Sequence, residues 1–203
     1  MTREVHDTTT LEHNEQPLTV VFVRHAEAGG PIVNEAAGPQ LTSMGRMQAE
    51  RLADRLIKEK FDHIYTSDLS RAYYTAQEII KRHKATPYTV TADLREVTYY
   101  HFASDVPALK PALRKNIRAE REALDRFALH LRRAHNPGEN ILVVCHGNFI
   151  RSIIPILGGR DPQESVLIEF NNTSVSILDV WENDQAVLKL ANCVRHLLPG
   201  QVT

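Results

Sequence analysis

Histidine and arginine side chains follow two short apolar segments of this chain. Arg24 and His25 stand directly after residues 18–23 (LTVVFV), and His146 stands directly after residues 141–145 (ILVVC). Short, nearly continuous apolar runs rich in β-branched residues predict strands that are buried on both faces of a sheet. In open α/β sheets, ligands bind at the carboxyl ends of the strands. If these two strands are neighbours, the sheet brings two imidazoles and a guanidinium to one edge.

Arg71 supplies a further guanidinium, because it follows the polar turn of residues 66–70 (TSDLS) and stands in the first turn of a predicted helix. A phosphoryl group is a tetrahedral dianion, and arginine binds it through planar forks that stay charged. Gly147 lacks a side chain and would let the backbone approach an anion. Amides at the start of the helix that is predicted from Asn148 onward would add partial positive charge. Together these residues predict a phosphate site.

The same residue types can catalyse as well as bind. One neutral imidazole could attack phosphorus while the other, protonated, holds an oxygen. A departing alkoxide must take up a proton, and candidate acids lie in residues 93–96 (DLRE). We choose Glu96 as the general acid, with Asp93 as the alternative. Such an acid contributes roughly 100 to 10,000-fold when the leaving group is poor.

Five short motifs, in this order along the chain, resemble those of the histidine phosphatase superfamily, which includes cofactor-dependent phosphoglycerate mutase. They are residues 21–27 (VFVRHAE), 41–49 (LTSMGRMQA), 65–76 (YTSDLSRAYYTA), 94–96 (LRE) and 144–147 (VCHG). The resemblance extends over most of the chain after its first 17 residues. Each motif is short, and it is their number and order that make the resemblance specific.

The resemblance implies a two-step reaction. His25 would be the nucleophile and would form a phosphohistidine. Arg24, Arg71 and His146 would bind the phosphoryl oxygens. Glu96 would protonate the leaving group and then activate water. The resemblance also implies that no metal or organic cofactor is needed.

The chain departs from the family pattern in ways that bear on its activity. Ala26 replaces the usual glycine of the signature, and residues 97–102 (VTYYHF) replace the Gly-x-Trp-Glu-Gly pattern that often follows the acid. The chain also lacks a long insertion rich in Arg and Pro, of the kind that mutases use to hold phosphoglycerate. The resemblance therefore favours a phosphatase, with a mutase-type phosphotransferase as an alternative.

Further residues near these motifs are candidates for substrate contacts. The family often has an asparagine shortly after the signature that touches phosphate, and Asn34 is the candidate here. Glu27 could contact the substrate or cap a helix, and the aromatic residues after the acid could line the entrance. The possible substrate-binding residues are Asn34, Glu27, Tyr99, His101 and Asn148. We expect a small phosphorylated metabolite as substrate, with a phosphoprotein as the alternative.

Two other classes of function compete with this interpretation. Residues 145–152 match Cys-x5-Arg-Ser, the phosphate loop of cysteine-dependent phosphatases, in which a thiolate attacks phosphorus. That loop needs small residues, whereas Phe149 and Ile150 are typical of the buried face of a helix, and Cys145 ends an apolar strand. A non-catalytic scaffold that binds phosphorylated partners is the other alternative. The presence of every expected catalytic residue type argues against it.

The elements that position these residues alternate between strands and helices. Amphipathic helical spacing appears in residues 49–56 and 72–80, and residues 107–134 predict one long helix or two joined helices. Residues 174–180 and 186–190 predict two late strands around a turn. The pattern indicates a three-layer α/β/α sandwich with a mostly parallel central sheet. We expect residues 1–17 to form a flexible tail and residues 18–203 to form the catalytic domain.

Composition excludes several classes of protein. The chain has 24 Lys and Arg against 25 Asp and Glu, without a long block of one sign, so we expect neither a nucleic-acid nor a membrane partner. No apolar run could span a bilayer and the first residues are polar, so we expect a cytoplasmic protein. Cys145 and Cys193 cannot form a disulfide framework, and no Cys/His spacing typical of a zinc site is present.

Overall fold

The computed structural model describes residues 16–29, 34, 36–98, 111–161 and 168–203. Its strands and helices alternate along most of the chain. In order they are β1 (Leu18–Arg24), α1 (Ser43–Leu56), β2 (His63–Ser67), α2 (Ser70–Ile80), β3 (Tyr88–Thr91), α3 (Pro111–Ala134), β4 (Asn140–Cys145), α4 (Gly147–Leu157), β5 (Val175–Val180) and β6 (Ala186–Cys193). Short 3-10 turns follow β3, at Ala92–Leu94, and lie near the end of the chain, at Pro199–Gln201.

The six strands form one sheet in the order β3-β2-β4-β1-β5-β6. Strands β1 to β4 are parallel to one another, whereas β5 is antiparallel to both β1 and β6. Strands β1 and β4 are neighbours, with Arg24 opposite Cys145. The adjacency on which the predicted site depends is therefore confirmed, because the residues after both strands emerge at the same edge.

Apolar side chains alternate across the central strands and bury both faces of the sheet. On one face, Phe22 of β1 packs in a cluster with Phe127 of α3 and Phe149 of α4. On the other face, Val21 and Val23 share a cluster with residues of α1 and α2. Helices therefore cover both faces, as near-continuous apolar strands require. The predicted three-layer α/β/α class is confirmed.

A few element boundaries differ from those predicted. Helix α3 is continuous over Pro111–Ala134, so this part of the chain forms one helix and not two joined helices. Residues 107–110 of the predicted helical region lie outside the described residues. Strand β6 continues to Cys193, because pairing with β5 extends the ladder beyond its apolar residues. Apart from Gln16 and Pro17, the predicted tail lies outside the described residues, so its flexibility stays a prediction. Across the helices that are described, none is both long and apolar enough to cross a membrane.

Candidate active site

His25 lies in the loop after β1, and the neighbouring strand fixes its backbone. Its amide donates to the carbonyl of Cys145 at 2.9 Å, and only 7% of its surface is exposed. In the ring, Nδ1 lies 2.8 Å from the carbonyl oxygen of Ala26, and Nε2 lies 3.1 Å from Nε of Arg71. A carbonyl oxygen only accepts and a guanidinium only donates. Nδ1 therefore carries the proton and Nε2 presents its lone pair.

Burial lowers the pKa of His25 from 6.5 to about 3. The hydrogen bond to the Ala26 carbonyl opposes this shift, whereas the positive charges of Arg71 and Arg24 add to it. Because burial penalises the charged form, the imidazole is neutral at neutral pH. A neutral imidazole with an available lone pair is the form that acts as a nucleophile.

Two arginines approach this imidazole from different elements. Arg24 ends β1 and donates to the carbonyl of Phe170. Arg71 lies in the first turn of α2. One turn further along α2, Thr75 accepts from the amide of Ala26 at 2.9 Å and donates to the carbonyl of Arg71 at 2.7 Å. This hydroxyl joins α2 to the loop and so fixes the guanidinium relative to the imidazole.

His146 precedes α4 and lies beside His25, with 5.1 Å between their ring centroids. It is completely buried. Its Nε2 lies 3.1 Å from Oγ of Ser67, and that oxygen also accepts from the amide of Leu69 at 3.3 Å. Its Nδ1 is buried and has no hydrogen-bond partner among the residues described. The ring therefore keeps one nitrogen available for a ligand.

The surroundings of His146 favour its neutral form in the absence of a ligand. The sequence predicts one neutral and one protonated imidazole. Burial, however, lowers the pKa of His146 well below 6.5, and the charges of His25, Arg71 and Arg24 lower it further. Without a bound anion, two buried imidazoles beside two guanidinium groups favour the neutral form of both. A neutral ring can still donate one hydrogen bond.

Glu96 is the carboxyl group that shares this environment. Its Oε1 accepts from the amide of Val97 at 3.0 Å and from the amide of Phe149, in α4, at 3.1 Å. Burial raises the pKa of Glu96, although these hydrogen bonds and the charges of Arg71 and Arg24 oppose the shift. A raised pKa increases the fraction of carboxylic acid near neutral pH, which suits a proton donor.

Asp93, the alternative acid, is engaged elsewhere. Its Oδ1 lies 2.7 Å from Nη2 of Arg126 on α3, in a pair that is partly exposed to solvent. By contrast, the charge of Glu96 raises the pKa of both Arg24 and Arg71, which places that carboxyl group close to both arginines. The geometry therefore favours Glu96.

Glu27 contacts the helix that follows it. Its Oε1 accepts from Oγ1 of Thr42 at 2.7 Å, and Thr42 caps α1 by accepting from the amide of Gly45 at 2.9 Å. A Cβ atom at Gly45 would lie 2.0 Å from the Glu27 carbonyl oxygen. This close approach explains the glycine of the motif in residues 41–49. A substrate contact by Glu27 stays a prediction.

The two candidate asparagines make local contacts. Oδ1 of Asn34 accepts from the amide of Ala36 at 2.9 Å in an exposed turn. Oδ1 of Asn148 accepts from Nη1 of Arg151 at 2.9 Å, one turn along α4. Neither contact involves the two imidazoles. Their roles toward a substrate stay predictions.

The remaining candidates are Gly147, Tyr99 and His101. Gly147 is the first residue of α4, and a Cβ atom there would lie 3.6 Å from the side chain of Arg24. Its backbone therefore lies beside one of the two guanidinium groups, as a phosphate-binding role requires. Tyr99 and His101 lie outside the described residues.

The thiol of Cys145 has none of the features of a nucleophile. It is completely buried in the apolar cluster with Phe149 and Ile150. Burial raises the pKa of Cys145 well above its ordinary value. Reactive cysteines need the opposite, a partly exposed thiol with a lowered pKa. The cysteine-dependent alternative is therefore not supported.

Sequence reasoning missed several residues that hold this site together. Ser67 and Thr75 lie inside a recognised motif, four residues before and four residues after Arg71, and their places in that motif could have marked them. Phe170 contributes only a backbone carbonyl, which no sequence pattern identifies. Asn172, in the segment before β5, donates to the carbonyl of His25, and no pattern in the neighbouring sequence predicts this contact.

The fold and the candidate site together define an α/β protein in which two buried imidazoles and two arginines meet at the carboxyl edge of the sheet. The model of the histidine phosphatase superfamily (branch 1) matches residues 20–123 and 116–193. These matches cover well over half of the chain. The chain belongs to the histidine phosphatase superfamily, an enzyme family, as the five motifs predict.

Individual relatives carry different names. The chain is 31% identical to phosphoglycerate mutase-like protein 4 of Arabidopsis thaliana, over 88% of this chain and 86% of that protein. It is 30% identical to a 2,3-bisphosphoglycerate-dependent phosphoglycerate mutase of Brucella anthropi, over 83% of this chain and 95% of that protein. Among solved structures, a phosphoserine phosphatase mutant of Entamoeba histolytica in complex with phosphoserine matches with a TM-score of 0.67 and 21% identity. That match covers 89% of this chain and all of that one, and it shows the shared fold.

Proposed function

We propose that the protein is a phosphomonoesterase that acts through a phosphohistidine at His25. The observation that carries the proposal is the state of that ring. Its Nδ1 proton is held by the Ala26 carbonyl, its Nε2 lone pair faces Nε of Arg71 at 3.1 Å, and its pKa is lowered to about 3. A buried lone pair directed at a cation is arranged to meet an anionic electrophile.

The phosphoryl group would bind between the imidazole and the cations around it. Arg24 and Arg71 would each offer charged donors to its oxygens. His146 would donate from Nδ1 if Ser67 donates its hydroxyl proton to Nε2. The N-terminus of α4, beginning at Gly147, would add amide donors. These groups balance the charge of a dianion, so the proposed reaction needs no metal ion.

In the first step, Nε2 of His25 forms a bond to phosphorus while the ester P–O bond breaks. Glu96 gives its proton to the leaving oxygen, which departs as an alcohol. The ring is then bonded to phosphorus at Nε2 and still protonated at Nδ1, so it carries a positive charge. The Ala26 carbonyl, already 2.8 Å from Nδ1, stabilises that charge.

In the second step, Glu96 is a carboxylate and accepts a proton from water. The water oxygen bonds to phosphorus while the N–P bond breaks. Inorganic phosphate leaves, and His25 returns to its neutral form. Both Glu96 and His25 are then ready for another substrate.

For the substrate, we propose a small phosphorylated metabolite. The solved structure of similar fold that contains phosphoserine supports this class, because that ligand is a small phosphate monoester. A phosphoprotein is the alternative. Release of phosphate from a panel of metabolite phosphates, compared with phosphopeptides at equal concentration, decides between them.

A phosphoglycerate mutase is a second candidate, favoured by the 30% identity with the Brucella anthropi mutase. A mutase transfers the phosphoryl group back to the substrate, whereas a phosphatase transfers it to water. Incubation with 3-phosphoglycerate separates the two activities. We expect free phosphate to form faster than 2-phosphoglycerate, and the reverse result would establish the mutase.

The test of the proposed mechanism is to trap the intermediate. The protein is mixed with labelled nitrophenyl phosphate, quenched in alkali, which preserves phosphohistidine, and mapped by mass spectrometry. We expect the label on His25 in wild type and in Cys145→Ser, and none in His25→Ala. Activity should survive a chelator. Label on Cys145, or turnover by a folded His25→Ala variant, would overturn the mechanism.

A further inference from the structure

The segment that precedes β5 donates hydrogen bonds to the backbone around His25. Nδ2 of Asn172 donates to the carbonyl of His25 at 2.8 Å. The amide of Thr173 donates to the carbonyl of Arg24 at 3.0 Å and approaches that of His25 at 3.3 Å. Asn172 is buried, with 6% of its surface exposed. The nucleophile therefore depends on residues almost 150 positions away in the sequence.

Thr173 adopts a backbone conformation that is unfavourable for its type. Its φ is 57°, in the left-handed region, and the residue is β-branched and completely buried. Such a conformation is costly for a β-branched residue and persists only where surrounding contacts enforce it. Its hydroxyl donates to the carbonyl of Asn172 at 2.7 Å. Strained residues of this kind cluster at active sites. This one directs its amide at the carbonyl groups of Arg24 and His25.

The last residues of the chain hold Asn172 in turn. The amide of Asn172 donates to the carbonyl of Thr203 at 2.7 Å, and Oγ1 of Thr203 donates to Oδ1 of Asn172 at 3.2 Å. The backbone amide and the Oδ1 atom of Asn172 are thus both hydrogen-bonded to Thr203. Its Nδ2 is left free to point at His25.

Gln48 connects the last residues of the chain to the backbone of Glu27, two residues after His25. It is completely buried in α1. Its Nε2 donates to Oγ1 of Thr203 at 2.9 Å and to the carbonyl of Gln201 at 2.7 Å, while its Oε1 accepts from the amide of Glu27 at 2.8 Å. Two buried amide side chains, joined through one hydroxyl, therefore hold the loop at the His25 carbonyl and at the Glu27 amide.

We infer that Asn172, Gln48 and Thr203 are positioning residues for the nucleophile. The inference rests on the proposed function. The ring of His25 has only the Ala26 carbonyl and Arg71 as hydrogen-bond partners among the described residues, so its place is set by its backbone. Displacement of a reacting group by about 1 Å can cost about 100-fold in rate. Loss of this grip should therefore lower kcat, with little effect on KM.

Thr203 gives the mildest test, because the residue as a whole is exposed whereas Gln48 and Asn172 are buried. Thr203→Val removes the hydroxyl but keeps the shape, and Thr203→Ser keeps the hydroxyl. Thr203→Val loses the hydrogen bonds of this hydroxyl to both Asn172 and Gln48, so we expect kcat for nitrophenyl phosphate to fall about fivefold in it and to be restored in Thr203→Ser. KM should change by less than about twofold in either variant.

Asn172 gives the larger effect. Asn172→Asp removes the donor to the His25 carbonyl and sets a carboxylate against it, so kcat should fall about 100-fold. Asn171→Asp is the matched control, with the same change one residue away at a side chain that makes no hydrogen bond in the described structure. Should Asn172→Asp fail to fold, the Thr203 pair decides. Equal losses in the two Asp variants, or unchanged kcat in Thr203→Val, would overturn the inference.

Amide hydrogen exchange separates this inference from the proposed function. We expect Thr203→Val to speed exchange at the amides of residues 25–27 but not at Val143, in the centre of the sheet. If wild type hydrolysed no phosphate ester, the proposed function would fail, yet this pattern would still support the grip on the loop. Exchange that rises equally at Val143 would indicate general destabilisation and would overturn the positioning role.

Discussion

Two groups of imidazoles lie near the two ends of strand β2, and they differ in the charges that surround them. The proposed catalytic cluster lies at the carboxyl end, where Ser67 contacts His146 and where His25 lies beside it. Glu96 shares this environment, but the cations that act directly on the two imidazoles are Arg24 and Arg71, and burial together with these cations lowers the pKa of both rings.

A second group, the distal cluster, lies toward the amino end of β2 and consists of Tyr65, His63, His130, His135 and Glu139. The hydroxyl of Tyr65 lies 2.9 Å from Nε2 of His130 and 2.8 Å from Nε2 of His135. Nδ1 of His135 lies 2.6 Å from Oε2 of Glu139. The ring of His63 lies 4.4 Å from that of Tyr65, between centroids.

The comparison shows that partners, not imidazoles, decide the chemistry. In the distal cluster Nδ1–H of His135 donates a hydrogen bond to the Glu139 carboxylate, and Nε2 of the same ring is hydrogen-bonded to the Tyr65 hydroxyl, so both ring nitrogens of His135 are engaged. Burial alone would raise the pKa of Glu139, but the hydrogen bonds from His135 and Asn136 lower it. No guanidinium pair is part of this cluster. It joins α3 to β2, whereas the proposed catalytic cluster keeps a lone pair beside two cations.

The largest difference should appear when each cluster loses its charged partner. Arg71→Met removes the cation beside Nε2 of His25 and a donor to the phosphoryl group, so kcat/KM for nitrophenyl phosphate should fall about 10³- to 10⁵-fold. Glu139→Gln should leave kcat/KM within about twofold of the wild-type value. Arg71→Lys keeps the charge without the planar fork and should lie between wild type and Arg71→Met. Comparable losses in Arg71→Met and Glu139→Gln would show that the distal cluster takes part in the reaction.

The next effect depends on the leaving group. Glu96→Ala removes the proposed acid, and turnover of an alkyl phosphate should fall roughly 100 to 10,000-fold, with a much smaller loss for nitrophenyl phosphate. Asp93→Ala is the control, because that carboxylate pairs with Arg126. The acid must be protonated, so activity with the alkyl ester should decline as pH rises through the raised pKa of Glu96. Equal losses with both esters would remove Glu96 from this role.

A smaller contrast compares the two hydroxyls that contact imidazoles. Ser67→Ala removes the contact to Nε2 of His146 and should lower kcat about tenfold, because the ring loses the partner that orients its Nδ1. Tyr65→Phe removes the contacts to two imidazoles in the distal cluster. It should lower the free energy of unfolding by about 1 to 3 kcal/mol and leave kcat unchanged. Steady-state kinetics and thermal unfolding of both variants measure the contrast. A loss of kcat in Tyr65→Phe but not in Ser67→Ala would contradict the proposed roles of the two hydroxyls.

These two hydroxyls also show how far the sequence could predict the structure. Apolar runs and helical periodicity predict the layers, since burial dictates them locally. The edge that carries the candidate site is predictable too, because His25, Arg71, Glu96 and His146 stand at the ends of such elements. By contrast, the partners of Tyr65 come from the far end of α3, and no local pattern specifies that contact.

The support of His25 by Asn172 shows the same limit more strongly. Segments far apart in sequence meet there only after the sheet has formed, with β5 lying antiparallel to β1. The protonation state of His146 could not be read from sequence either. It follows from burial and from three neighbouring groups, which are properties of the folded chain.

The smallest effect concerns stability and pH. His25 has a lowered pKa of about 3 in the folded chain against 6.5 when unfolded, so the unfolded state binds more protons between these values. Stability should therefore fall as pH decreases below 6.5, by about 1 kcal/mol per pH unit for this group. His25→Gln should make the decline between pH 6 and pH 5 shallower by about that amount, measured by urea unfolding. Glu139→Gln is the control: its lowered pKa stabilises the fold above the ordinary value of 4.5 and loses that effect only at lower pH. An unchanged slope in His25→Gln would mean that the imidazole titrates normally in the folded protein, and the electrostatic distinction between the two clusters would then be lost.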